Sequence, residues 1–336
     1  MSSQPLTTQQ SKTSPSTEAH PRGLAYFPLA LFASVMGYAG TTIAAMRIEP
    51  LLQLPPIASY ALLAVSTTLF VLYLLIFLYR VFAHLEEVQR DFDHPVRMNF
   101  FGAITISFLL LAVAYAEIWP SLSATLWWIG APLHLLLTLT VLNKLITQTR
   151  FEVAHYNPAW FIPIVGNLVV PIQGVQCAPK DLNWLYFSIG LVMGTIYTTI
   201  FFYRIFFHNP LPLKLLPTFF ILMAPPAVGL IAYVKLTGHV DTFSYILYGF
   251  AFFIGLLLLF LVKMFYRIPF FISWWAYLFP SAAITIATVL MFHETGEWIY
   301  RYLAYIQMLA LLFLVVWFTW KTLALLAAKK LCIKED

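Results

Sequence analysis

Acid–base side chains are scarce in the apolar text of this chain, and only His134, in "GAPLHLLLTLT", lies deep within such a run. A histidine there can carry a proton, but an isolated one reads as a hydrogen-bonded packing residue. His84, His94, His155, His208, His239 and His293 are scattered, with no pair at metal-ligand spacing. Nothing resembles a nucleophile with its base and orienting group, and no Gly-rich phosphate loop runs into Lys and Ser or Thr. Hydrolytic, ATP-driven, redox and metal chemistry therefore lack residues to carry them, and neither an enzymatic activity nor a cofactor is expected.

What stands out is steric. The stretch "WWAYLFPSAAITIATVLMF", residues 274–292, sets Tyr277, Phe279 and Pro280 before Ser281, Ala282 and Ala283. Other apolar runs carry helix breakers too: Pro28, Gly37 and Gly40; Pro163, Gly166 and Pro171; Pro225, Pro226 and Gly229. Proline inside a helix removes a backbone hydrogen bond and bends the chain. In hydrocarbon the freed carbonyl needs a neighbouring helix or a water-lined cavity. With Glu117 and Arg47 at the ends of runs and Arg301 in the first turns of the last, no charge is available at depth. That argues against a proton-coupled pump and leaves a passive pathway governed by backbone dipoles, hydroxyls and width.

The elements that must hold these residues are membrane spans. Of the 336 residues 61% are hydrophobic and 10% charged, where a soluble domain has about 25% charged. Runs long enough to span, about 20 residues, number ten: 25–45, 57–82, 98–118, 121–147, 159–176, 183–207, 217–235, 241–267, 271–292 and 297–326. They are continuously apolar, so helices rather than alternating barrel strands are predicted. Residues 1–23 read as a disordered tail, 24–327 as a ten-helix membrane domain and 328–336 as a second tail. Fifteen of the nineteen Lys and Arg residues fall on one side of ten spans, leaving Arg47, Lys180, Lys235 and Arg301 opposite. The positive-inside rule then places both termini in the cytoplasm. Cys177 and Cys332 fall on opposite faces and cannot bridge. Without a clustered basic stripe, the net charge of +5 does not point to nucleic acid.

The even runs also repeat. "FLYRVF", "FFYRIF" and "MFYRIP" end the second, sixth and eighth, and a period near 62 residues extends Arg80, Arg204 and Arg267 to Lys144 and Lys329. Such a unit is a helical hairpin, and five of them satisfy one another most simply as a closed ring. Breakers concentrate in the odd runs and Leu- and Phe-rich text in the even ones, although Gly130, Pro132, Gly190 and Gly194 are exceptions. The fold expected is all-α, odd helices inner and pore-lining, even helices outer. Net positive charge and helix dipoles favour anions over cations or neutral solutes only weakly.

Three segments carry a family resemblance: "FPLALFASVMG" in the first run, "NPAWFIPIVGNLVVP" in the fifth and "WWAYLFP" in the ninth. Together they resemble the tellurite-resistance and dicarboxylate transporter family, which includes TehA and the plant slow anion channels, with Ala33 standing where Gly is usual. The resemblance implies a homotrimer in a bacterial inner membrane. Each protomer would have its own pore for chloride or nitrate, plugged by a phenylalanine of the ninth helix, which here is Phe279. A secondary carrier for C4-dicarboxylate, sulfite or tellurite-related oxyanions is the alternative, and a non-transporting scaffold a third. The pore-shaping residues would be Pro28, Gly37, Pro163, Gly166, Pro171, Pro225, Pro226, Gly229, Pro280 and Ser281, with membrane lipid around the outside.

Overall fold

The computed structural model describes residues 23–266 and 268–333 and is helical throughout. Residues 1–22 of the tail predicted over 1–23, Arg267 of the repeat and the last three residues lie outside the described residues. Among the described residues ten helices are long and apolar enough to cross a membrane, making this a multi-pass membrane protein. In chain order the spans are Leu29–Leu52, Ile57–Ala83, Arg97–Tyr115, Pro120–Thr147, Pro158–Cys177, Lys180–Phe207, Leu213–Thr237, Thr242–Phe260, Ile272–Thr295 and Trp298–Ala327. Residues 116–119 separate the third span from the fourth. The helix stops at Tyr115, Trp119 is non-helical, and Pro120 opens the next helix, where its missing N–H is not needed. The eighth span is shorter than its apolar text: Leu261 leaves helical geometry at ψ 9°, and Val262–Tyr266 forms a separate turn.

Burial divides the spans by parity. In the most apolar stretch of each odd span 78% to 89% of residues are buried inside the protein, against 17% to 33% in the even spans. Contacts explain the division. The first span touches the third, the third the fifth, the fifth the seventh, the seventh the ninth, and the ninth returns to the first. Each even span packs on its own hairpin partner and on the next odd span, and the tenth closes back onto the first. An even span therefore keeps one face on protein and turns the other outward, where Leu136, Val192, Phe253 and Phe313 stand exposed.

Every odd span changes winding along its length. Each begins with a 3-10 segment, at Leu29–Leu31, Arg97–Phe100, Pro158–Phe161, Leu213–Met223 and Ile272–Tyr277, and then becomes α-helical. The even spans are α-helical from their first residue. Prolines mark the change: Pro28 precedes the first segment, while Pro163, Pro225, Pro226 and Pro280 occupy the first turn of an α segment. A first-turn proline has no intrahelical N–H bond to lose. These residues therefore set where the α-helix begins, which differs from the mid-helix kink expected for Pro280. Pro171 alone of the odd-span prolines lies well inside an α segment.

In three of the hairpins the closing basic residue has a structural task. Arg80 donates to the Phe27 carbonyl at 2.9 Å, Lys144 to Phe92 at 3.1 Å and Arg204 to Ala154 at 3.5 Å. In each case the acceptor lies in the segment leading into the preceding odd span, so the side chain closes its own hairpin. Arg80 is buried and also pairs with Asp91 at 2.7 Å. Lys144 binds Asp93 at 2.8 Å, and this hydrogen bond, with Arg150 nearby, holds the Asp93 carboxyl below its ordinary value. On the same face the Gly23 amide donates to the Cys332 carbonyl at 3.1 Å, which sets the two described ends side by side. We call this the terminal face and its opposite the far face.

Candidate functional site

Two cavities lie inside the cycle of odd spans. The larger, about 390 Å³, extends from Phe279 toward the far face. All five odd spans wall it, with Ile43, Leu110, Val169, Ile231 and Val289 typical of its lining. Its charged residues are Arg47, Lys235 and Glu294, with His293 beside them, all at the far ends of their spans. The smaller cavity, about 30 Å³, lies on the terminal side among Met36, Ile106, Val165, Ala224, Trp275 and Pro280.

Phe279 is the one residue that lines both. On four walls the two linings face one another across one helical turn: Met36 and Gly40, Ile106 and Leu110, Val165 and Val169, Ala224 and Val228. Four residues of α-helix rise about 6 Å. The partition is therefore about as thick as a phenyl ring is wide, and Phe279, 8% exposed, fills it.

The first and ninth spans meet closely to hold that ring. A Cβ on Gly37 would lie 2.8 Å from Leu278 Cβ, and one on Gly40 would lie 2.9 Å from Ala282 Cβ and 3.6 Å from Phe279 Cδ2. Small residues on both helices permit this approach, as they do between membrane helices generally. Thus Ala282 is small because the first span lies against it, whereas Ala283 lines the larger cavity.

Of the ten pore-shaping residues expected beside Phe279, only Pro280 lines either cavity. The rest serve the surrounding packing. Gly37 makes room for Leu278, and Gly229 lies near Leu168 and Leu247. Gly166 yields to His134, whose Cε1 would be 2.1 Å from an added Cβ. The Pro163 carbonyl accepts from Thr138 at 2.7 Å and Asn167 at 3.1 Å. Ser281 donates to the Tyr277 carbonyl at 2.7 Å. Pro28, Pro171, Pro225 and Pro226 shape their own helices as described. His134 is fully buried behind the wall, its Nδ1 2.7 Å from Thr105 Oγ1, as a packing histidine would be.

Polar chemistry is thin at the partition. Thr41, Thr42, Thr285 and Thr288 donate back to carbonyls of their own helices, and the lining of neither cavity includes Ser or Thr. Among the described residues no three His, Cys, Asp or Glu side chains gather as metal ligands. The residues that sequence reasoning missed are Gly40 as a neighbour of Phe279, the aliphatic wall, and Arg47 and Lys235 at the far mouth. Gly40 follows Gly37 by three positions, a usable signal; the aliphatic wall had none.

Ten spans, buried in alternation around a divided cavity, define a membrane channel or transporter. The chain belongs to the SLAC1 family of voltage-dependent anion channels, whose family model matches residues 26–323. It is 28% identical over 270 residues to the S-type anion channel SLAH2 of Arabidopsis thaliana, covering 78% of this chain and 52% of that protein. It is 26% identical to the tellurite resistance protein TehA homolog of Haemophilus influenzae, over 79% of this chain and 81% of the relative. It is also 24% identical to the uncharacterized transporter MJ0762 of Methanocaldococcus jannaschii, over 83% and 89%. The chain thus spans about half the length of the plant relative and most of the two microbial ones.

Proposed function

We propose that the chain is a passive anion channel whose pore runs through the cycle of odd spans and is closed by Phe279. The observation that carries this reading is that one aromatic ring stands between the two cavities and is the residue their linings share. An anion crossing that partition meets aliphatic side chains and no fixed charge, so its passage is governed by how readily it sheds water and by the position of the ring. Small monovalent anions such as chloride and nitrate are the proposed cargo, in keeping with the anion channels named among the relatives. The terminal face is the cytosolic face, since fifteen of nineteen basic residues lie on that side of the sequence-derived topology. The protein works as a homotrimer in a bacterial inner membrane, each protomer with its own pore and the exposed even spans meeting lipid or neighbouring protomers.

A second reading, a carrier for C4-dicarboxylates or sulfur and tellurium oxyanions, draws on the chamber of about 390 Å³, which is roomier than a halide requires. Reversal potentials in a planar bilayer separate the two. Under opposed chloride, nitrate and malate gradients the channel reading expects a Nernstian shift with chloride or nitrate. Strict coupling of flux to a proton gradient would overturn it in favour of the carrier.

A further inference from the structure

The far mouth of the larger cavity is lined by charged residues, whereas the lining of the smaller cavity has none. On the terminal face Arg80 and Arg97 share Asp91, Lys144 and Arg150 share Asp93, and Arg204 donates to the Asn209 carbonyl. Those cations are committed to holding hairpins and loops together. At the far mouth Arg47 is paired loosely to Glu117 at 3.4 Å, with the carboxylate side chain 81% exposed. Among the described residues Lys235 makes neither a hydrogen bond nor an ion pair, and it lines the same mouth as Arg47. Glu294 lines the same mouth and His293 stands beside it.

We propose that Arg47 and Lys235 form a collecting site for a small anion at the far mouth, a reading that rests on the larger cavity being the outer half of the conduction path. Two like charges held near one another repel, and an anion between them relieves that repulsion. The aliphatic walls beyond are of low polarity, so they concentrate the field of these cations at the opening instead of dissipating it. Arg47 and Lys235 thereby set the electrostatics of this mouth. A simpler role exists for both residues, because each lies in the last turn of its helix, where a cation offsets the negative end of the dipole. Yet the third and fifth spans end without a basic residue in that turn, so helix termination on this face does not require one.

The test is chloride binding to the purified protein in nanodiscs, read from ³⁵Cl line broadening. The wild type is expected to give a saturable component that nitrate displaces. Lys235→Gln or Arg47→Gln should weaken it about fivefold to tenfold, the change expected on removing one charge about 4 Å from the ion in a largely hydrated opening. Glu294→Gln should strengthen it, and Lys180→Gln, on the same face but outside the cavity lining, should leave it unchanged. Chloride affinity in Lys235→Gln and Arg47→Gln equal to wild type overturns the site. So does a change confined to the melting temperature, the mark of a dipole role. Phe279→Ala separates this from the gate. If it fails to raise conductance while binding still depends on Lys235, the gate falls and the site stands; if it raises conductance while binding ignores Lys235, the site falls and the gate stands.

Discussion

Replacing Phe279 by alanine removes the partition between the two cavities, and the size of the effect follows from what holds the ring in place. With 8% of its surface exposed, the side chain is buried almost completely, which is worth about 1.5–3 kcal/mol relative to exposure. Swinging the ring aside forfeits most of that, so the open form is held down about 10- to 100-fold, at tenfold for each ~1.4 kcal/mol. Phe279→Ala, open throughout, should raise chloride conductance by the same factor, measured as current per channel protein in bilayers or voltage-clamped cells. Phe279→Leu should fall between. The stability cost discriminates further. A phenylalanine deleted from a sealed core costs about 3–5 kcal/mol, but this ring borders a cavity on each side, so a smaller loss is expected in detergent melting. A folded Phe279→Ala protein with unchanged conductance and the full core penalty would refute the gate and leave Phe279 as packing.

Three other outcomes follow from the surroundings. Gly40→Ala would place a methyl 2.9 Å from Ala282 Cβ, forcing the first and ninth spans apart; a raised basal anion leak with intact expression is expected in liposome flux assays. Asp91→Asn removes the charge that balances the buried Arg80 guanidinium, and thermal unfolding should show a loss of about 3–5 kcal/mol, as when one partner of a buried ion pair is removed. Asp93 has a lowered carboxyl pKa through its hydrogen bond from Lys144. Its contribution is complete above the ordinary carboxyl value of 3.8 and is lost as pH falls through the lower folded value. Melting curves from about pH 6 down to about pH 3 should therefore lose part of their acid dependence in Asp93→Asn, modestly, because Asp93 is 58% exposed.

The spans were readable because hydrocarbon imposes a length and an apolar text on any helix that crosses it, and even the short break before Pro120 left a mark. Parity was readable for a related reason: Pro and Gly gather where helices touch other helices instead of lipid. The wall of the cavity was not readable. An odd span such as Leu29–Leu52 is buried on nearly every side, so Gly37, facing Leu278, and Ile43, facing the cavity, occur in the same uniformly apolar context. The chemistry that distinguishes a packing face from a cavity face lies in the neighbouring helix. The basic residues were likewise counted for sidedness, and counting does not reveal that Arg80 is consumed by Phe27 and Asp91 while Lys235 is not. Phe279 came from the family resemblance, and the structure places it between the two cavities.

The 3-10 segment Ile272–Tyr277 runs directly into the α-helix that carries Phe279. A 3-10 helix turns about 120° and advances about 2.0 Å per residue, an α-helix about 100° and about 1.5 Å. The boundary between the two windings therefore works as a screw thread. Moving it by one residue turns everything on one side relative to the other by about 20° and shifts it by about 0.5 Å. The azimuth of the Phe279 ring is thus fixed by where the winding changes, just ahead of it in the chain, so its aim depends on backbone hydrogen-bond register as much as on any side chain it touches.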